Sequence, residues 1–359
     1  MGAEAVTGEP IVNWKTIGEM LSHSATRSPD ASALLASGRD PTTYAALWQQ
    51  TQRLARQLRG MGVGAQDRVA IVLPNGPDMA ASFLAVAGSA VAAPLNPAYR
   101  TAEFEFYLSD LNAKALFIAK GMESDARAVA RDRGIRIIEV ASAGTRAGEI
   151  CLDNLDSPIS AEIDWPKSDN IALILHTSGT TSRPKIVPLT QANLCASARN
   201  ISRWLALTAN DRCMNVMPLF HIHGLVAALL STLASGGSVA CTEGFIATAF
   251  WDRLKEFNPT WYTAVPTMHQ AIVARPEAAN HDPRESRIRF VRSSSAALPP
   301  QVAEQLERTF NAPVLEAYGM TEASHQMCCN PLLPAARKFG SDSMSVFESA
   351  CSFLETEVT

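Results

Sequence analysis

The chain is predicted to be an α/β protein made of two doubly wound units, each a largely parallel sheet with helices on both faces. Three observations predict this. Short apolar runs of strand length alternate with amphipathic segments of helix length, Pro/Gly/Asn clusters punctuate them, and no internal repeat or low-complexity tract breaks the alternation. At 359 residues, 47% of them hydrophobic and 18% charged, the chain is long enough for two or three domains' worth of buried core.

In order, Ile17, Met20, Leu21 and Ala25 share one helical face over 16–28, and a second helix runs from Thr43 through Leu54, Leu58 and Met61 to Gly60, Gly62 and Gly64. A buried strand over 68–73 stops at Pro74-Asn75-Gly76-Pro77 and is followed by a helix over 78–91 and a strand over 92–95. The alternation continues with helix 103–110, strand 115–119, helix 124–133 and strand 135–140. Residues 141–170, with Gly144, Gly148, Pro158 and Pro166, read as loop and linker. Beyond them come helix 193–204, strand 212–217, helix 224–234, strand 238–241, helix 247–256, strand 261–265, helix 266–274, strand 288–292, helix 299–310 and strand 313–315.

Composition narrows the function. A net charge of −4 without a long basic run argues against nucleic acid as a partner. The seven cysteines are scattered and odd in number, without paired C-x-x-C spacing, and read as free thiols of a reducing compartment. Met1 to Pro10 has no apolar core for a secretory signal, and the small apolar stretch 80–93 reads as a buried helix rather than a membrane span. A cytoplasmic location is expected, with a peroxisomal one for a longer form.

The chemistry centres on His176 to Thr190. Thr177, Ser178, Thr180, Thr181 and Ser182 place five hydroxyls around Gly179, and Lys185 adds a positive charge. With a strand before it and a helix opening at Gln191, this reads as strand, loop and helix, the setting in which backbone N–H groups and hydroxyls converge on phosphate. It is not a G-x-x-x-x-G-K-[ST] loop. Further on, Tyr318-Gly319-Met320-Thr321-Glu322 sets an aromatic ring, a hydroxyl and a carboxylate at a strand end, supplying a flat face for a base, a phosphate donor and a hard oxygen ligand for Mg²⁺. His221 and His223 in Met217-Pro218-Leu219-Phe220-His221-Ile222-His223-Gly224 leave a metal site open as a reading, although no third ligand stands at suitable spacing.

The loop with Arg183-Pro184-Lys185 resembles the phosphate loop of adenylate-forming enzymes, the superfamily of acyl-CoA synthetases, luciferases and peptide-synthetase adenylation domains. It departs from the usual pattern at Ser182 and Ile186, where that family carries glycine. Ser-Arg-Pro-Lys is similar to the oxalate–CoA ligase branch, and Ile186 would be strained if its φ were positive. The resemblance implies that Thr177 to Ser182 and Lys185 bind phosphate, that Thr321 contacts the α-phosphate, and that Glu322 holds magnesium. It places Tyr318, Gly319, Ser295, Ala296 and Ala297 at the nucleotide, and makes His221 a gate between acyl pocket and CoA tunnel. Lys185, His221, Thr321 and Glu322 are thereby the catalytic candidates. Hydroxyls at Ser294 and Ser295, with His221 and His325, suit a small dicarboxylate, whose second carboxylate needs donors once desolvated; a fatty chain would not want them.

The resemblance extends over residues 14–341. It implies an adenylate-forming N-terminal domain over 1–341, with subdomains of roughly 70–200 and 14–69 plus 201–341, and a divergent tail over 342–359. Most of the family's β-barrel and its C-terminal domain have no counterpart. The implied activity is ATP-dependent formation of an acyl-adenylate and then an acyl-CoA, using ATP, Mg²⁺ and coenzyme A, with oxalate the favoured acid. A 4-coumarate or medium-chain ligase, or a catalytically silent nucleotide- or partner-binding variant, stays open. This chain is expected to make little acyl-CoA, and to offer a partner or a second copy the face left by the absent barrel.

Overall fold

Val69, Ala70, Ile71 and Val72 are all buried, with no alternation between core and solvent. Such a strand must be covered on both faces, as parallel sheets are. The computed structural model describes residues 13–153, 162–177, 184–275 and 282–332, and these form two such sheets. The seven-stranded sheet runs Ile150–Leu152, Arg136–Ser142, Ala115–Ala119, Arg68–Val72, Val91–Pro94, Ile171–Thr177, Lys185–Thr190, parallel except at its two edges. The eight-stranded sheet runs His325–Cys329, Val314–Met320, Phe290–Ser294, Trp261–Ala264, Arg212–Asn215, Ser238–Cys241, Ser32–Leu35, Thr42–Thr43, again with antiparallel edges. This is the α/β class read from the alternation.

One apolar cluster joins Val69, Ile71 and Leu173 of the first sheet to Val239, Trp261, Phe290 and Leu315 of the second, through Phe83, Leu84 and the segment from Leu225 to Leu230. The sheets therefore share a middle layer of helices. Pro77–Ala87 within that layer is buried at every position from Met79 to Ala87, as a helix apolar all round must be. On the far face of the larger sheet, Trp251 and Phe310 pack with Tyr262 and Val291. Phe104, Leu108 and Val129 cover the outer face of the smaller sheet. The result is five layers, helix and sheet in alternation.

Parity then aims the side chains that matter. In Phe290–Ser294, Phe290 belongs to the shared layer and Val291 to the outer one, so Arg292 and Ser294 face the shared layer, as does Thr263 two residues after Trp261.

The structure adds strands that the reading of the sequence left out, among them Ser32–Leu35 and His325–Cys329, and it redraws two further segments. Residues 141–170 contain the edge strand Ile150–Leu152, and Lys185–Thr190 is a strand antiparallel to Ile171–Thr177. Thr177 and Lys185, on either side of the hydroxyl-rich segment, are thus paired across two antiparallel strands, and the following helix, Gln191–Trp204, starts beyond the second of them, where Thr190 caps it by accepting from the N–H of Asn193. Ile186 pairs with His176 across the same strands and lies outside the positive-φ residues, so its β-branched side chain meets no strain.

Candidate active site

The carboxyl ends of the parallel strands of both sheets open onto one crevice, where ligands of open α/β sheets bind. Thr177, ending its strand in the smaller sheet, donates its hydroxyl to Glu322 Oε1 at 3.4 Å. Glu322 is exposed and sits in the short 3₁₀ turn Thr321–Ala323 that follows Val314–Met320. Exposed Lys185 faces Thr177 across the antiparallel strand pair. Ser178, Gly179, Thr180, Thr181 and Ser182 lie outside the described residues. Tyr318 is 56% exposed, leaving ring surface open to the crevice. Among the described residues no group of three or more His, Cys, Asp or Glu is arranged to hold a metal ion.

The turn carrying Thr321 and Glu322 is fixed by close packing. Gly319 lies so near the returning strand that a Cβ would stand 1.6 Å from the carbonyl oxygen of His325. Ser324 and His325 have φ of +54° and +99°, and Ser197 of Gln191–Trp204 donates to the Ser324 carbonyl at 2.6 Å. A non-glycine residue held at such a φ costs about 1–3 kcal/mol, and strain of this kind gathers at functional sites. Here it turns the His325 ring inward, to 5.0 Å from that of His223.

The floor of the crevice is a polar cluster in the shared layer. Arg292 is fully buried and donates through Nη1 to Thr263 Oγ1 at 3.3 Å and through Nη2 to Gln326 Oε1 at 2.9 Å. Nη1 also lies 3.4 Å from His223 Nε2. Among the described residues no carboxylate pairs with this guanidinium. His223 Nε2 is 2.6 Å from Thr263 Oγ1, and its Nδ1 is 3.1 Å from Ser295 Oγ. Burial, reinforced by His325 and then Arg292, holds the His223 pKa well below the usual imidazole value; burial and Arg292 do the same at His325. Among the described residues, His325 Nδ1 is buried without a hydrogen-bond partner.

The remaining candidates occupy different positions. Ser294 is buried and donates its hydroxyl to the Ala317 carbonyl at 2.8 Å, tying two strands together. Ser295, at φ +76°, is exposed, as are Ala296 and Ala297. His221 is exposed, with its ring 4.8 Å from that of Phe220, one residue pair outside the His223 cluster. The segment around it is pinned: Asn75 Oδ1 accepts from Leu219 N at 2.7 Å, and Asn215 Nδ2 donates to the Gly224 carbonyl at 3.2 Å. From there His223–Leu230 forms a π-helix.

Arg292, Thr263 and Gln326 had no role in the reading of the sequence, and His223 entered it only as a possible metal ligand beside His221. A signal for Arg292 existed: a charge two positions after Phe290 in an apolar strand must lie on the same face as that ring. The Thr263 and Gln326 contacts depend on strand pairing and had none.

Fold and crevice define a class of five-layer α/β protein with a polar, cationic ligand site where two sheets meet. The chain belongs to the AMP-binding enzyme family, whose model matches residues 21–348. It is 44% identical over 325 residues to an oxalate–CoA ligase from Arabidopsis thaliana, covering 88% of this chain and 63% of that protein. It is 42% identical over 299 residues to an oxalate–CoA ligase from Saccharomyces cerevisiae, covering 77% of this chain and 54% of that one. A benzoate CoA ligase from Burkholderia xenovorans LB400 shares the fold at 23% identity with a TM-score of 0.77, over 89% of this chain and 64% of that chain. The chain thus spans less than two thirds of the length of these relatives.

Proposed function

We propose that the chain is the nucleotide- and acid-binding part of an ATP-dependent acid–CoA ligase, with oxalate as the acid. The observation that carries the choice of acid is Arg292, a buried guanidinium whose partners among the described residues are all neutral, set beneath Ser295, His223 and His325. A buried charge without a counter-ion favours an anionic occupant nearby, whereas an alkyl chain would leave it uncompensated. The 44% identity to an oxalate–CoA ligase supports the same acid.

In this reading, one carboxylate of the acid attacks the α-phosphorus of ATP and pyrophosphate leaves. The thiolate of coenzyme A then attacks the acyl carbon and releases AMP. Thr177, Lys185 and Thr321 donate to phosphate oxygens, where preorganised donors act on developing charge. Tyr318 and the backbone from Ser295 to Ala297 flank the base, and His221 stands at the path of the thiol. Glu322 offers a hard oxygen that fits magnesium, an ion commonly held by one or two carboxylates plus substrate phosphates, and the ion would neutralise charge on those phosphates. The division into subdomains of roughly 70–200 and 14–69 plus 201–341 belongs to the same proposal.

The test is acid-dependent exchange of labelled pyrophosphate into ATP. Because the chain spans 63% of the Arabidopsis relative, it is measured on this chain joined to that relative's carboxyl-terminal portion. Oxalate should support exchange well above hexanoate and 4-coumarate. Equal or faster exchange with hexanoate contradicts the choice of acid, and ATP binding without exchange for any acid favours a silent binding module.

A further inference from the structure

We infer that Arg292 and Thr263 fix the proton of His223 on Nδ1, so that the Ser295 hydroxyl is turned outward as a hydrogen-bond donor to the carboxylate of the acid substrate. The inference rests on the proposed reading of the crevice and adds the positioning residues behind it.

The argument is an inventory of protons. Arginine has donors only, so at Arg292 Nη1 both close neighbours, Thr263 Oγ1 and His223 Nε2, must present lone pairs. Thr263 Oγ1 then already accepts from Arg292, and among the described residues its own proton has one acceptor within reach, His223 Nε2 at 2.6 Å. With Nε2 accepting, a neutral His223 carries its proton on Nδ1. That N–H donates to Ser295 Oγ at 3.1 Å. Ser295 is thereby occupied as an acceptor, and its own proton has no acceptor among the described residues, while its side chain is exposed to the crevice. The alternative, a doubly protonated imidazole, would set a cation against a guanidinium in a buried site. Burial and the neighbouring charges hold His223 in the neutral form.

The consequence is directional. With the opposite tautomer, Nδ1 would accept from Ser295, and the hydroxyl would face the acid with lone pairs alone, repelling a carboxylate. The relay turns a small polar side chain into a dedicated anion donor without bringing a second charged side chain to the surface of the site. The positive φ of Ser295, +76°, presents that hydroxyl at the turn after the strand.

Two measurements on the 359-residue chain test this, with Thr263→Val/Arg292→Met removing both groups that donate to Nε2 and Thr263→Ser as the conservative variant. Nitrogen-15 spectra of labelled histidine near neutral pH should show His223 neutral and protonated at Nδ1 in the wild type and in Thr263→Ser, still at Nδ1 in Thr263→Val, where Arg292 remains a donor to Nε2, and shifted toward the Nε2–H form in the double variant. Titration with oxalate, malonate and hexanoate should show affinity for the acid that the wild type binds best kept in Thr263→Ser and falling about tenfold or more in the double variant. His223 protonated at Nε2 in the wild type, or an unchanged tautomer in the double variant, overturns the relay. Should the preferred acid be something other than oxalate while the tautomer and the variant effects hold, the relay stands and the choice of acid in the proposed function falls.

Discussion

Thr177 Oγ1 meets Glu322 Oε1 at 3.4 Å, joining the last residue of a strand in the seven-stranded sheet to the turn after a strand in the eight-stranded one. A hydroxyl and an exposed carboxylate from two sheets thus share one point of the crevice. Glu322→Gln removes charge from a solvent-facing group and should change the folding free energy by less than about 0.5 kcal/mol. Magnesium-dependent ATP binding should fall by about tenfold or more as the hard anionic ligand is lost. Calorimetry with and without magnesium, beside thermal unfolding, checks both; a large loss of stability with unchanged binding would make Glu322 a structural residue.

Gly319→Ala should be among the most damaging single-methyl changes in the molecule. Its Cβ would stand 1.6 Å from backbone, at the His325 carbonyl oxygen, so the hairpin between Val314–Met320 and His325–Cys329 must open. A loss of about 2–3 kcal/mol in urea unfolding is expected, together with a displaced His325 ring. A loss below about 0.5 kcal/mol would mean that the turn yields without cost.

Arg292→Met replaces a buried guanidinium, unpaired with any carboxylate among the described residues, with an apolar side chain of similar length. Removing the desolvation cost should raise the unfolding free energy, by about 1 kcal/mol or more, while acid binding is lost. Strong destabilisation in denaturant melts would show that the bonds to Thr263 and Gln326 outweigh desolvation and that the charge is there for the fold.

Acid should weaken the fold before its carboxylates titrate. Burial, partly opposed by the backbone of Arg292 and Ala264, brings the His269 pKa down to about 4, and its neighbour Tyr262 offers only a hydroxyl 3.4 Å from Nδ1. His223 and His325 are depressed in the same direction, chiefly by burial. The folded state therefore prefers neutral imidazoles. Their contribution is fully present above the unfolded value near 6.5 and is lost as pH falls toward about 4, about 3 kcal/mol for His269 alone. Unfolding free energies at pH 7.5, 6 and 5 should decline in that order, with a shallower slope in His269→Gln. Equal stability at pH 7.5 and 5 would contradict this.

How far the fold could be read from the sequence follows from which interactions are local. Runs such as Arg68 to Leu73 announce themselves within a few residues, and the α/β alternation was legible. The strands Ser32–Leu35, Ile150–Leu152, Lys185–Thr190 and His325–Cys329 were not. They are short edge or near-edge pieces whose pairing partners lie elsewhere in the chain or across a hairpin. In the site, Glu322 and Ser295 stood out as motif residues, while His223 entered only as a possible metal ligand beside His221. Its place under Ser295 depends on Thr263, 40 positions away in sequence, and Arg292, 69 away, separations that no local pattern encodes.

The most direct measurement of the central claim is equilibrium titration of the purified chain with oxalate and with hexanoate at saturating ATP and magnesium. A cationic, polar floor built on Arg292, His223 and Ser295 predicts oxalate binding at least about tenfold tighter than hexanoate, and loss of that preference in Arg292→Met. Hexanoate binding as tightly as oxalate, or tighter, would contradict it.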